Sequence, residues 1–214
     1  MPHPVLHKIR KEYQRERLLE SNIHNDPFIQ FKQWLHQAID ADIDEATAMM
    51  LSTVDLNGNP SSRIVLLKDV THEGLTFFIN YESRKGEEIL HHPQVAALFF
   101  WSALERQVRI EGRAEKVEGP FSDDYFKSRP IDSRLAAHVS PQSKVITGRG
   151  VLETGLEEVK KLYADHDIPR PAHWGGYRII PYYFEFWQGG VARLHDRLRY
   201  TKQQEGWKIE RLAP

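Results

Sequence analysis

The chain has 214 residues, a formal net charge of -1, 40% hydrophobic and 28% charged residues, and no cysteine. That length and balance suit a globular chain with a sizeable core, and a near-neutral charge excludes a whole-chain electrostatic footprint for nucleic acid. The missing cysteines exclude disulfides, thiolate catalysis, zinc-thiolate sites and iron-sulfur clusters.

The N-terminus, MPHPVLHKIRKEYQRERLLE, has no apolar h-region. No segment approaches the roughly 20 apolar residues that span a bilayer, so the expectation is a cytoplasmic protein with neither a membrane nor a nucleic-acid partner. Residues 8–19, KIRKEYQRERLL, mix charges with too few apolar positions to bury much. Residues 1–20 therefore read as an arm, expected to be mobile and to fold back over a site, and 21–214 as a single domain.

In DPFIQFKQWLHQAI, Asp26 suits an N-cap and Pro27 the first helical position, and Phe28, Phe31, Trp34, Leu35, Ala38 and Ile39 follow helical spacing. TAMMLSTVD, SSRIVLLKDV and LTFFINY, separated by NGNP and HEG, predict a meander of strands. A short helix is predicted from near Ser83 in SRKGEEILHH, then a buried strand at QVAALFFW. A long strand follows at ERQVRIEGRAEKVEG, with Gln107, Arg109, Glu111 and Arg113 on a face opposite Val108, Ile110 and Ala114. Helical pieces are expected at FSDDYFKSR and IDSRLAAHV, a loop at TGRG, and a helix over about residues 152–164. YRIIPYYFEFWQGG, VARLHDRLRY and GWKIERLAP return to strand. Antiparallel strands interrupted by helices predict an α+β domain built on a small barrel.

Several stretches carry chemistry. Arg63 and Lys68 in RIVLLK are an odd number of positions apart, so a regular strand points them to opposite faces. Either they serve two partners or they are charges guarding an edge strand. Arg84 and Lys85 fall at a helix N-terminus, which suits a bound phosphate or a solvated basic turn. Tyr125, Arg129 and Ser133 recur every four positions, a good set of phosphate ligands if one helix continues, although Pro130 points to a helix–helix corner. On a strand, Arg193, His195 and Arg197 of RLHDR would line one side. His91 and His92 lack metal-ligand spacing, and GxGxxG, P-loop and GxSxG patterns are absent.

Taken in order, IRKEY, DPFIQF, SSRIVLLKDV, SRKGEE, RQVRIEGRAEKV, YFKSRP, SPQSKVI, EFWQGG, RLHDRLRY and GWKIERLAP resemble the pyridoxamine 5'-phosphate oxidase family over nearly the whole chain. The resemblance implies an FMN-binding split β-barrel, homodimeric, with FMN at the subunit interface. It implies an oxidoreductase that converts pyridoxine 5'-phosphate or pyridoxamine 5'-phosphate to pyridoxal 5'-phosphate, with oxygen as electron acceptor and hydrogen peroxide as by-product.

By the family pattern, Arg63 and Lys85, helped by Arg84, Gln142 and Ser143, hold the FMN phosphate. The backbone from Ile64 through Val65 and Leu66 to Leu67, next to Lys68, flanks the flavin with Phe78 and Ile79, and Gln107, Trp187 and Arg197 meet the ring system. Lys68, Tyr125, Arg129 and Ser133 bind the substrate phosphate. Arg193 and His195 contact the substrate's pyridine ring and are the catalytic candidates, and Arg10 and Tyr13 reach the substrate from the arm. Arg134 and Ala136 stand where many members carry Gln and Gly. Two alternatives remain: a related split-barrel flavin oxidase acting on another compound, such as a phenazine precursor, or a flavin-binding module without catalysis.

Overall fold

The computed structural model describes Tyr13 and residues 17–214. Among these residues lie α1 (Pro27–Asp40), β1 (Ala48–Val54), β2 (Pro60–Thr71), β3 (Gly74–Asn80), α2 (Arg84–His91), β4 (Gln94–Trp101) and β5 (Arg106–Lys116). They continue with α3 (Gly119–Ser128), α4 (Ile131–Val139), α5 (Arg149–Leu162), β6 (Trp174–Gln188), β7 (Asp196–Lys202) and β8 (Trp207–Leu212). The strand order is β3-β2-β1-β4-β5-β6-β7-β8, and a further pairing of β3 with β6 closes the first six into an antiparallel barrel. The α+β split-barrel expectation holds.

Strand β6 is long enough for two ladders. Its residues 174–179 pair with β3 and its residues 183–188 with β7. Pro181, which has no N–H to give a ladder, falls between the two. The chain divides into two compact units, one made of Met1–Ala48, Ala97–Glu111 and Pro181–Pro214, the other of Met49–Ala96 and Gly112–Ile180.

The first unit has an aromatic core. Asp26 caps α1 as its sequence predicts, accepting the Phe28 N–H at 2.8 Å. The apolar stripe of the helix then packs Phe31 on Phe99 (5.0 Å between centroids), Trp34 on Phe186 (5.3 Å) and Phe28 on Phe184 (5.3 Å). Ile39, expected on this stripe, is half exposed because it comes at the end of the helix.

In the second unit, Phe126, Leu135, Ile168 and Trp174 form a cluster under α3, α4 and α5. Helix α3 stops at Ser128 and α4 begins at Ile131, with Arg129 extended between them, as the proline demands. Helix α5 starts at Arg149, earlier than the apolar pattern suggests, and Arg149 pairs with Glu153 one turn on.

VARLHDRLRY is strand only from Asp196 onward. Ala192 (φ 54°) and Arg193 (φ 63°) both adopt left-handed backbone, which a strand does not admit. The alternation expected for Arg193, His195 and Arg197 therefore fails before His195.

Gly86 lets α2 seat against the preceding turn. A Cβ there would lie 2.1 Å from the Tyr81 carbonyl oxygen, a backbone atom that cannot swing aside. Gly86→Ala should destabilise the protein by about 1–3 kcal/mol in urea unfolding. Gly150→Ala, in α5 with no atom within 4 Å of the added Cβ, should be neutral or stabilising by up to ~1 kcal/mol. Equal effects of the two would refute the close-approach explanation.

Candidate active site

In the second unit a cavity of about 620 Å³ opens between β2, β3, α2, the α3–α4 corner and the start of β6. Strand β2 exposes its even-numbered positions, so Ile64, Leu66 and Lys68 face out while Arg63 turns the other way. The ladder with β3 slips between Leu67 and Asp69, at Lys68. Ile64, Val65, Leu66 and Lys68 line the cavity with Phe78 and Ile79, and Leu67 is buried in the core.

The opposite wall is the α3–α4 corner. Tyr125, Arg129 and Ser133 all reach the cavity, although the helix breaks between them. Phe78 stacks on Tyr125 (3.9 Å between centroids) and on Trp174 (5.4 Å), and the Arg129 guanidinium lies over Trp174 at 4.6 Å. Arg129 Nη1 is buried with no hydrogen-bond partner among the described residues, and burial pushes its pKa down.

Lys85 projects from the first turn of α2, where Ser83 caps the helix. Its Nζ donates to Gln142 Oε1 at 2.9 Å, and a second tie, Lys144 to Glu87 at 2.7 Å, holds the 140–145 segment to the same helix. Among the described residues Lys85 has no carboxylate partner, and burial, with the nearby Arg63 charge, lowers its pKa to about 8. Ser143 is exposed, in left-handed backbone (φ 71°), beside this tie.

Arg63 and Arg84 converge on one carboxylate. Arg63 donates to Thr53, Ser61 and Glu88, and Arg84 Nε to Glu88 Oε1 at 2.8 Å. Glu88 is only 5% exposed. Burial pushes its carboxyl up, but bonds from Thr53, Ser61 and the two arginines hold it at about 2.

The first unit gathers the remaining candidates except Arg10, which lies outside the described residues. Tyr13 sets its ring edge-on to Trp187 (5.6 Å) and to His195 (5.7 Å), and the Trp187 and His195 rings are 4.8 Å apart. The Gly190 N–H donates to His195 Nδ1 at 3.1 Å, so a neutral His195 carries its proton on Nε2. Arg193 is exposed on the left-handed turn just before it. Gln107 is half buried on β5. Arg197 lies across the β6–β7 ladder from Trp187 and donates Nε to Glu185 at 2.9 Å.

Sequence reasoning missed Glu88, Thr53, Ser61, Trp174 and Glu185. Glu88 left a signal, one helical turn after Arg84, and so did Ser61, two positions before Arg63 on the same face of β2. The others meet their partners across strands or corners.

The pyridoxamine 5'-phosphate oxidase family model matches residues 35–163, and the model of the pyridoxine 5'-phosphate oxidase C-terminal dimerisation region matches 174–214. The chain belongs to the pyridoxamine 5'-phosphate oxidase family. A Cyanothece protein named pyridoxine/pyridoxamine 5'-phosphate oxidase is 52% identical over 206 residues, 96% of this chain and 97% of that protein. One of the same name from Burkholderia mallei is 50% identical over 213 residues, 98% of this chain and 99% of that one.

Among solved structures, PhzG from Burkholderia lata, in complex with tetrahydrophenazine-1-carboxylic acid, is 30% identical with a TM-score of 0.86. That likeness covers 92% of this chain and 98% of PhzG. An oxidoreductase of the pyridoxamine 5'-phosphate oxidase family is thus established, and the dimerisation region supports a homodimer. No helix among the described residues is long and apolar enough to cross a membrane.

The state of Lys85 gives a pH test. Its amine loses its proton near pH 8 in the folded, ligand-free protein and near 10.5 when unperturbed. The cost of the buried cation is therefore fully present below about pH 8 and relieved as the pH rises towards 10.5. A phosphomonoester that needs the ammonium should bind more weakly as the pH rises through about 8, and Lys85→Arg should flatten that dependence. Fluorescence titration of FMN between about pH 7 and 9.5 reads it, and equal affinity across that range in the unmodified protein would contradict it.

Proposed function

We propose that this chain is an FMN-dependent oxidase that converts pyridoxine 5'-phosphate or pyridoxamine 5'-phosphate to pyridoxal 5'-phosphate, with oxygen as acceptor and hydrogen peroxide as by-product. The supporting observation is that Lys68, Tyr125, Arg129 and Ser133 line one cavity, and that Arg129 Nη1 is buried there with no hydrogen-bond partner among the described residues. A phosphate satisfies such a set through charge-assisted hydrogen bonds of about 1.5–3 kcal/mol each. The names of the relatives agree with this reading.

The cavity also suits FMN on its own residues. Lys85 offers a cation without a carboxylate partner among the described residues, and the start of α2 adds backbone N–H groups. Gln142 and Ser143 follow on the segment tied to that helix, and Ile64, Val65 and Leu66 with Phe78 and Ile79 provide an apolar flank. In this reading FMN lies at the interface of a homodimer. Once bound, FMN supplies the acceptor for hydride from the substrate's C4' and passes the electrons to oxygen.

The chain's own work is binding and orientation. Lys68, Tyr125, Arg129 and Ser133 hold the substrate phosphate; Arg193, and His195 through its Nε2–H, contact the pyridine ring; Arg10 and Tyr13 reach the substrate from the arm. Arg197, Trp187 and Gln107 meet the flavin ring, and Arg63 with Arg84 adds positive charge behind Lys85. Fixed cations of this kind favour the charge that develops as the ring is reduced.

The likeness to PhzG favours a second reading, oxidation of a phenazine precursor. The phosphate-ligand cluster separates the two, because a substrate without a phosphate leaves Lys68 and Arg129 without an anion. Lys68→Ala or Arg129→Ala should raise the KM for pyridoxine 5'-phosphate while FMN stays bound, whereas Arg63→Ala should chiefly weaken FMN retention. Steady-state assays of aldehyde and peroxide, with flavin content measured after gel filtration, check this. Equal flavin loss in all three variants would overturn the two-site assignment.

A further inference from the structure

Glu185 is a carboxylate that none of the roles above uses. It lies on β6 at 2% exposure, where an unpaired charge would be costly. On the same face of the strand it is flanked by Tyr183 and Trp187. Arg197 stands opposite Trp187 in the β7 ladder, so it reaches Glu185 on the diagonal, and its Nε donates to Glu185 Oε1 at 2.9 Å. Arg109 Nη1 (3.2 Å) and the Tyr183 hydroxyl (2.8 Å) donate to Oε2. Arg197 Nη1 is held from the other side by the Ala213 carbonyl at 2.8 Å.

These bonds fix the Arg197 guanidinium on two sides. Burial raises the Glu185 carboxyl pKa, but the bonds from Arg197 and Tyr183 and the charge of Arg109 hold it below the usual range, so it stays ionised near neutral pH. The same contact raises the pKa of Arg197.

We propose that Glu185 is the positioning residue of the oxidase site: it aims Arg197 at the flavin ring and offsets part of its charge, and so sets how strongly the protein favours reduced flavin. The inference rests on the reading above that Arg197 meets FMN. Reduction adds negative charge to the ring, and a nearby cation stabilises that state more when no carboxylate screens it.

Glu185→Gln keeps the shape of the side chain and an acceptor for Tyr183, and should shift the FMN reduction potential to a more positive value with FMN still bound. Glu185→Asp keeps the charge but shortens the reach, so it should leave the potential near that of the unmodified protein and lower kcat more than it changes KM. In an Arg197→Met background, where there is no guanidinium to aim, Glu185→Gln should shift the potential by a different amount than in the unmodified protein. A lower melting temperature with an unchanged potential in Glu185→Gln, or an equal shift with and without Arg197, would overturn the proposal. The potential is read without substrate, so failure of the unmodified protein to oxidise either vitamin B6 phosphate would overturn the substrate reading and leave this comparison in force.

Discussion

The barrel closes where residues 174–179 of β6 pair with β3, and the closure depends on a close approach of backbone to side chain at Gly175 and Gly176. A Cβ on Gly175 would fall 2.2 Å from the Tyr81 hydroxyl, and one on Gly176 2.6 Å from Val117 Cγ2 and 2.9 Å from Phe78 Cε1. Tyr81 uses the space, donating its hydroxyl to the Gly176 carbonyl. The register that results sets Asn80 against Trp174 and Phe78 against Gly176, so the Trp174 and Phe78 rings stack. Tyr125 joins the stack and Arg129 lies on Trp174. One wall of the candidate active site therefore follows from the step that closes the barrel.

Two kinds of cation stand out among the site candidates. Arg63 and Arg197 are each backed by a buried carboxylate, Glu88 and Glu185, which fixes their direction before any ligand arrives. Lys68, Lys85 and Arg129 have no carboxylate partner among the described residues, and all three line the cavity. The first kind gives rigidity at the cost of net charge; the second leaves charge for an anion to neutralise. Arginine suits the first task, since the planar guanidinium holds a two-sided hydrogen-bonded position that an ammonium does not.

Local rules carried far along this chain where the partners are close in sequence. The Asp26 cap, the Ser83 cap and the alternation of Gln107, Arg109 and Glu111 against Val108 and Ile110 need only neighbours. Pro130 marked the break between α3 and α4, yet Tyr125, Arg129 and Ser133 still meet at one cavity because a corner, like a helix, can return side chains to one side. RLHDR defeated the period-two argument, since nothing in its residue types announces left-handed backbone at Ala192 and Arg193. The partners of Arg63 and Arg197 were illegible for a different reason. Apart from Ser61, two positions before Arg63 on the same strand, the partners Thr53, Glu88 and Glu185 reach them through strand registers and helix packing that no spacing rule encodes. Resemblance to the family supplied a list of candidate residues, and the structure adds which carboxylates hold them.

The most direct measurement is the visible spectrum of the FMN-loaded protein under anaerobic conditions, before and after pyridoxine 5'-phosphate and, separately, pyridoxamine 5'-phosphate. The account predicts bleaching of the oxidised flavin bands by these substrates and their return when air is admitted. Bound flavin that stays oxidised with both phosphates would contradict the assignment of this site to vitamin B6 oxidation.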